Sequence, residues 1–262
     1  MNDQPVEIHP SAVVSPRAEI ASGVRIGPYT QIGDHVRIGQ DTFIGAHVVI
    51  DGHTEIGARN QIFPFSSIGT PPQDVSYRGE DTRLVIGDDN IIREYVTINR
   101  ATAKEEWKTV IGSGTYIMAY AHVAHDCVLG NNVIMSNLAT LGGHVVIGDY
   151  AVLSGMVAVH QFVRIGAHAF VGGKSGVDRD VPPFMITAGP RARLYGINRR
   201  GLSRAGFAGE TIDGLKKAYS IIWRKNRRFD EGIAQVRREL TPFPELETPL
   251  EFLKGSKRGI LR

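Results

Sequence analysis

Leu141-Gly-Gly-His-Val-Val-Ile147-Gly-Asp-Tyr-Ala-Val-Leu153-Ser-Gly-Met-Val-Ala-Val159 places an aliphatic side chain at every sixth position. Outward from this stretch the pattern runs without fault from Ile111 to Val177, and it starts again upstream. An N-terminal series goes from Ile8 to Ile68, and Ile86, Ile92 and Ile98 continue it in the same phase, which slips by one residue before Ile111. Glycine follows 13 of these 26 apolar positions, whereas 30 glycines in 262 residues would place about three there. A period of six fits neither an amphipathic helix nor simple strand alternation. It fits a short strand and a tight corner, repeated, with the aliphatic residue pointing inward and the glycine expected to permit the corner. Three such sides close a triangular coil, and successive coils pair as parallel strands. Nine or so coils at about 4.8 Å build a prism roughly 40 Å tall. The fold class is mainly β, a parallel β-helix.

The gaps at 69–85 and 99–110 are expected to be loops protruding from the prism, where binding residues tend to sit. The repeat ends near Val177, and Val181-Pro-Pro183 marks a transition. Apolar spacing beyond it predicts helices over 211–225, 229–240 and 246–253. The chain divides into a β-helix over 1–190 and an α-helical C-terminal domain over 191–262. The basic and acidic residues are unevenly divided between the two: the C-terminal part carries a net charge of +9 and the rest −6. A basic end on an acidic body suits an anionic partner, although it contains no nucleic-acid reader motif. The single cysteine, Cys127, excludes an intrachain disulfide, and no apolar run reaches transmembrane length. The N-terminus, Met1-Asn-Asp-Gln-Pro, lacks a secretory pattern, so a cytoplasmic location is expected.

Eighteen residues per coil turn the sequence into columns. His125, Gly143 and Gln161 form one, and Asp126, His144 and Phe162 stand beside it. His122 and His160 lie on the same coils as these columns. A histidine can take a proton from a hydroxyl near neutral pH, and a glycine one strand away can offer its N–H to an oxyanion. Asp126 would orient the imidazole, but neighbours on a straight strand face opposite ways, so that pairing requires a corner or a second subunit. Gly155 and Gly173 in another column leave a groove wide enough for an alkyl chain. The other histidines are expected on the prism surface, and a zinc-binding role for the histidine cluster stays open.

Ala121-His-Val-Ala-His-Asp-Cys127, Leu141-Gly-Gly-His144, Val159-His-Gln-Phe162, Val171-Gly-Gly173 and Arg258-Gly-Ile-Leu-Arg262 resemble the UDP-N-acetylglucosamine O-acyltransferase family of hexapeptide-repeat transferases. Gly52-His-Thr54, Gln73-Asp74, Asp180-Val-Pro-Pro183 and Gly196-Ile-Asn198 extend the resemblance over both domains. It implies a left-handed coil, against the usual crossover rule. It also implies a homotrimer that moves an (R)-3-hydroxyacyl group from acyl carrier protein to the 3-position of UDP-GlcNAc, the first step of lipid A synthesis, with no cofactor and no metal. His125 would be the general base, Asp126 its partner and Gly143 the oxyanion donor. Asp74, His122, His144, His160, Gln161, Asn198 and Arg204 match substrate-contacting positions, and Gly173, with Gly155 and Phe170 nearby, matches the acyl-length determinant. Acyl carrier protein is acidic and would suit the basic C-terminal domain.

Ser76, Asn99 and Ala205 stand where the family commonly has lysine, histidine and arginine. These departures leave open a 3-amino analogue of the acceptor, with an amide product. Another hexapeptide acyltransferase, using acyl-CoA, is a further alternative. A γ-type carbonic anhydrase would need zinc on three histidines across an interface and has no use for a helical cap. A non-catalytic scaffold would leave the His125/Gly143 column unexplained.

Overall fold

The computed structural model describes residues 4–225 and 228–262. The first three residues of the N-terminal stretch read above lie outside it. Short strands, most of two residues, wind into a parallel β-helix whose faces belong to sheets of eleven, nine and eight strands, and along the coils each face takes every third strand. Three faces meet at three corners: Tyr116–Ile117, His122–Val123 and Val128–Leu129 are successive sides of one coil, on the eleven-, nine- and eight-stranded faces in turn.

Every repeat position from Ile26 to Val177 is buried, none more than 4% exposed, while Ile8 lies open on the first coil, which has no coil beneath it. A second inward column stands two residues before each aliphatic position. It is filled by small or β-branched side chains such as Val36, Thr42, Ala139, Val145 and Ala151. Where Asn60 and Asn90 occupy it, their amides bridge coils: Asn90 N donates to Asn60 Oδ1 at 2.9 Å, and Thr115 N to Asn90 Oδ1 at 2.7 Å. These buried polar groups are satisfied by the backbone of the next coil.

The role expected for the repeat glycines is corrected. Corner residues do take a left-handed φ, but they lie three positions after the aliphatic residue and are rarely glycine: Tyr29, Tyr120, Asn132, His144, Tyr150 and Met156 all have φ between 55° and 62°. Glycine after the aliphatic residue answers a different demand. A Cβ on Gly148 would sit 2.5 Å from Ala167 N, and one on Gly39 2.5 Å from the Gly57 carbonyl carbon, on the next coil. Close stacking of coils, and not torsional freedom, selects it, except at Gly69, whose φ is +72°.

Strand register explains the phase of the repeat. Tyr116 pairs with Ile134, one coil on. Gln61 pairs with Ile91, so the first insertion adds twelve residues, two whole sides, and the phase survives. Ile91 pairs with Tyr116, so the second adds seven, one side and one residue, which is the slip.

After Val177 the strand Met185–Ala188 joins the eleven-stranded face and pairs antiparallel with Arg193–Ile197. Among the described residues four α-helices follow: α1 (Arg199–Arg204), α2 (Gly209–Tyr219), α3 (Phe229–Glu239) and α4 (Glu247–Lys254). A π-helical turn, Ser220–Lys225, continues α2 through the rest of its predicted span. Helix α1 was not foreseen; six residues with Gly201 inside show no apolar period, and it is held by its cap, the Asn198 side chain accepting from Gly201 N at 3.1 Å. Leu202, Ile212, Leu215 and Tyr219 pack on the prism core, so the helices close its upper end. The C-terminal tail is fastened there too: Asp180 N donates to Gly259 O and Leu261 N to Asp180 O.

Candidate active site

His125 and Asp126 occupy the corner between the nine- and eight-stranded faces, and Asp126 has a φ of +60°. That left-handed step turns consecutive side chains toward each other, and Nδ1 of His125 lies 2.8 Å from Asp126 Oδ2. The pairing that needed a corner or a second subunit is made by the corner. Asp126 is buried, and its carboxylate also accepts from Thr102 Oγ1 at 2.7 Å and from Thr102 N. Burial raises the Asp126 pKa, but the hydrogen bonds from His125 and Thr102 outweigh it and hold the carboxyl below its ordinary value.

One coil above, Gly143 lies against the imidazole: a Cβ there would be 2.5 Å from His125 Cε1 and 2.8 Å from Nε2. Among the described residues no backbone acceptor takes the Gly143 N–H. His144, stacked on Phe162 at 4.4 Å, meets the His125 ring edge-on at 5.2 Å. Its Nδ1 donates to Glu105 at 2.9 Å, and its Nε2 is 3.7 Å from Asp126. His122 is on the nine-stranded face, with Nδ1 2.7 Å from Thr97 Oγ1. Burial, and then the nearby charge of His125, lowers its pKa, which favours neutral imidazole.

Other expected residues lie at varied distances from this centre. His160 is exposed beside Gln161, and its Nδ1 is 3.1 Å from Arg258 of the C-terminal tail. Asp74, on the first insertion, accepts from Ser76 N, Ser76 Oγ and Lys104. Lys104 and then Ser76 hold it well below the usual carboxylate range. Asn198 spends its amide on the fold, capping α1 and donating to His168 O at 3.0 Å. Arg204 is exposed on α1, in a 450 Å³ depression with Arg199, Arg200 and Asp213. No hydrogen bond or ion pair among the described residues ties Arg204 to His125. Gly155 and Gly173 form an open notch: a Cβ on Gly155 would meet only Asn137 O, at 3.5 Å. Phe170 stands half-buried on the adjoining eleven-stranded face, one side before the notch. Asn99 donates to Pro71 O at 3.0 Å, and its buried Oδ1 has no partner among the described residues.

Thr102, Lys104 and Glu105 were not singled out in the sequence. They lie on the second insertion, where the coil arithmetic assigns no column; only its place as an interruption of a rigid scaffold marked it. His125, Asp126 and His144 offer atoms within 4.8 Å of one another, a set able to hold a metal ion, although it has two histidines and a carboxylate, not the three histidines of the anhydrase reading. Cys127 is buried, its thiol pushed up to about 12 by desolvation, which makes it unreactive. No helix among the described residues is long and apolar enough to cross a membrane.

Six-residue sides wound into a parallel β-helix make this a hexapeptide-repeat protein, with an imidazole–carboxylate pair beside a glycine at one corner. Residues 17–52 and 108–143 match the bacterial transferase hexapeptide family, and residues 180–261 match domain 2 of UDP-N-acetylglucosamine O-acyltransferase. A relative from Thermodesulfovibrio yellowstonii, an acyl-[acyl-carrier-protein]–UDP-N-acetylglucosamine O-acyltransferase, is 56% identical over 98% of this chain and 99% of its own. One from Syntrophobacter fumaroxidans with the same name is 51% identical over 98% of this chain and all of its own. The structure of LpxA from Acinetobacter baumannii matches with a TM-score of 0.95 and 41% identity, over 97% of this chain and 99% of that one. The chain belongs to the UDP-N-acetylglucosamine O-acyltransferase family.

Proposed function

We propose that this chain transfers a 3-hydroxyacyl group from acyl carrier protein to the 3-hydroxyl of UDP-GlcNAc, the first step of lipid A synthesis, in the cytoplasm. The observation that carries the mechanism is the hydrogen bond from His125 Nδ1 to Asp126, with Gly143 against the same ring. A carboxylate only accepts, so the proton sits on Nδ1, and Nε2 is left free to take one. His125 Nε2 removes the proton from the sugar hydroxyl as its oxygen attacks the thioester carbonyl. The Gly143 N–H stabilises the oxyanion. Collapse breaks the carbon–sulfur bond, and the imidazolium returns its proton to the departing thiol of the carrier protein. His122, His144, His160, Gln161 and Asp74 serve as substrate contacts, and the notch at Gly155 and Gly173, with Phe170 beside it, takes the acyl chain.

The active unit is a homotrimer. In it Asn198 and Arg204, which no hydrogen bond or ion pair among the described residues ties to His125, serve the centre of a neighbouring copy. The basic helical domain receives the acidic carrier protein. Asp126→Asn tests the mechanism: kcat should fall by roughly 10²–10⁴ with little change in acceptor KM, since the amide NH2 can donate to Nδ1 and leave the proton on Nε2. An unchanged kcat would remove Asp126 from the reaction.

A further inference from the structure

Residues of the second insertion end, side chain by side chain, on the proposed centre. Thr102 donates to Asp126, Glu105 accepts from His144, and between them Lys104 Nζ lies 2.5 Å from Asp74 Oδ2. A surface ion pair by itself signifies little. This one differs in its surroundings. Asp74 has only 12% of its side chain exposed, whereas Lys104 keeps 50% exposed and uses one of its three donors on Asp74.

Two other cations of the insertions, Arg78 and Arg100, are committed to the fold. Arg78 turns back onto the carbonyls of Val75 and Tyr77. Arg100 donates to Gly69 O at 2.8 Å and to the Tyr77 hydroxyl. Around the centre stand three carboxylates, Asp74, Glu105 and Asp126, where an acceptor bearing a diphosphate must approach.

We propose that Lys104 is a substrate-binding residue: its ammonium neutralises Asp74 and donates to oxygens of the diphosphate-bearing sugar acceptor. This rests on the placement of Asp74 at the acceptor site. Ser76 Oγ is 2.6 Å from Asp74 Oδ1, so a lysine at position 76 reaches the same carboxylate and can replace the missing amine.

The test is steady-state kinetics on the full-length protein with UDP-GlcNAc varied at fixed acyl carrier protein thioester. Lys104→Gln should raise acceptor KM about tenfold, the loss of one charge-assisted hydrogen bond, with kcat and donor KM little changed. Lys104→Arg, and Ser76→Lys added to Lys104→Gln, should bring acceptor KM back toward wild type. An unchanged KM in Lys104→Gln, or no recovery in either rescue, overturns the proposal. Asp74→Ala separates it from the reading beneath: an active variant with unaltered acceptor KM would take Asp74 itself out of the acceptor site.

Discussion

His125 and Asp126 are neighbours in sequence and would face apart on a strand; a single left-handed φ at Asp126 makes them a pair. Gly143 then has to remain glycine for the ring beneath it. Gly143→Ala should push the imidazole aside and lower kcat about 100-fold. Its φ is not in the left-handed region, so thermal unfolding should change little, and a loss of activity that merely tracks unfolding would contradict this. Asp126 also links the site to stability. Its folded pKa is depressed, so its contribution is present above the unfolded value of about 3.9 and is lost as pH falls through the folded one. Urea unfolding should find wild type more stable than Asp126→Asn at pH 7, with the gap closing below about pH 4; a gap independent of pH would exclude it. The column arithmetic made His125, Asp126, Gly143 and His144 legible because equal coils put position and sequence in register. Thr102 and Glu105 were illegible for the opposite reason, since they reach the centre from an insertion without that register.

The individual coil is a side, a corner and an interface with the next coil. The repeat glycines were legible as punctuation, but their cause was not: spacing cannot distinguish a torsional demand from a steric one, and what decides it is that a Cβ on Gly148 would meet Ala167 N at 2.5 Å. Gly148→Ala should destabilise by about 1–3 kcal/mol through overpacking. An unchanged urea midpoint in this variant would contradict the steric account. The insertions were located by lost periodicity, and their added twelve and seven residues account for the kept phase and the slip. Helix α1 escaped notice because a capped six-residue turn leaves too short a pattern.

Across the whole molecule, one corner carries an exposed ladder that the reading of the repeat did not flag. Tyr29, His47, Phe65, Tyr95 and Tyr120 stack at 4.8–5.1 Å, and Leu138 and Met156 extend the same edge beside the Gly155 notch. Apolar surface so extended is costly to leave in water and suits burial against further copies of the chain. Light scattering should give three times the 28.6 kDa chain mass, and Phe65→Asp with Tyr95→Asp should reduce it; a monomeric wild type would refute the trimer. Assembly was beyond the column arithmetic, which orders residues within one prism and says nothing of neighbours. The proposed mechanism places the chemistry on His125. The most direct measurement is thioester consumption with a 3-hydroxyacyl carrier protein and UDP-GlcNAc, comparing wild type with His125→Ala. Acylated sugar nucleotide from the wild type, reduced roughly 10²–10⁴-fold in the variant, is the predicted result. Undiminished product from His125→Ala would contradict it.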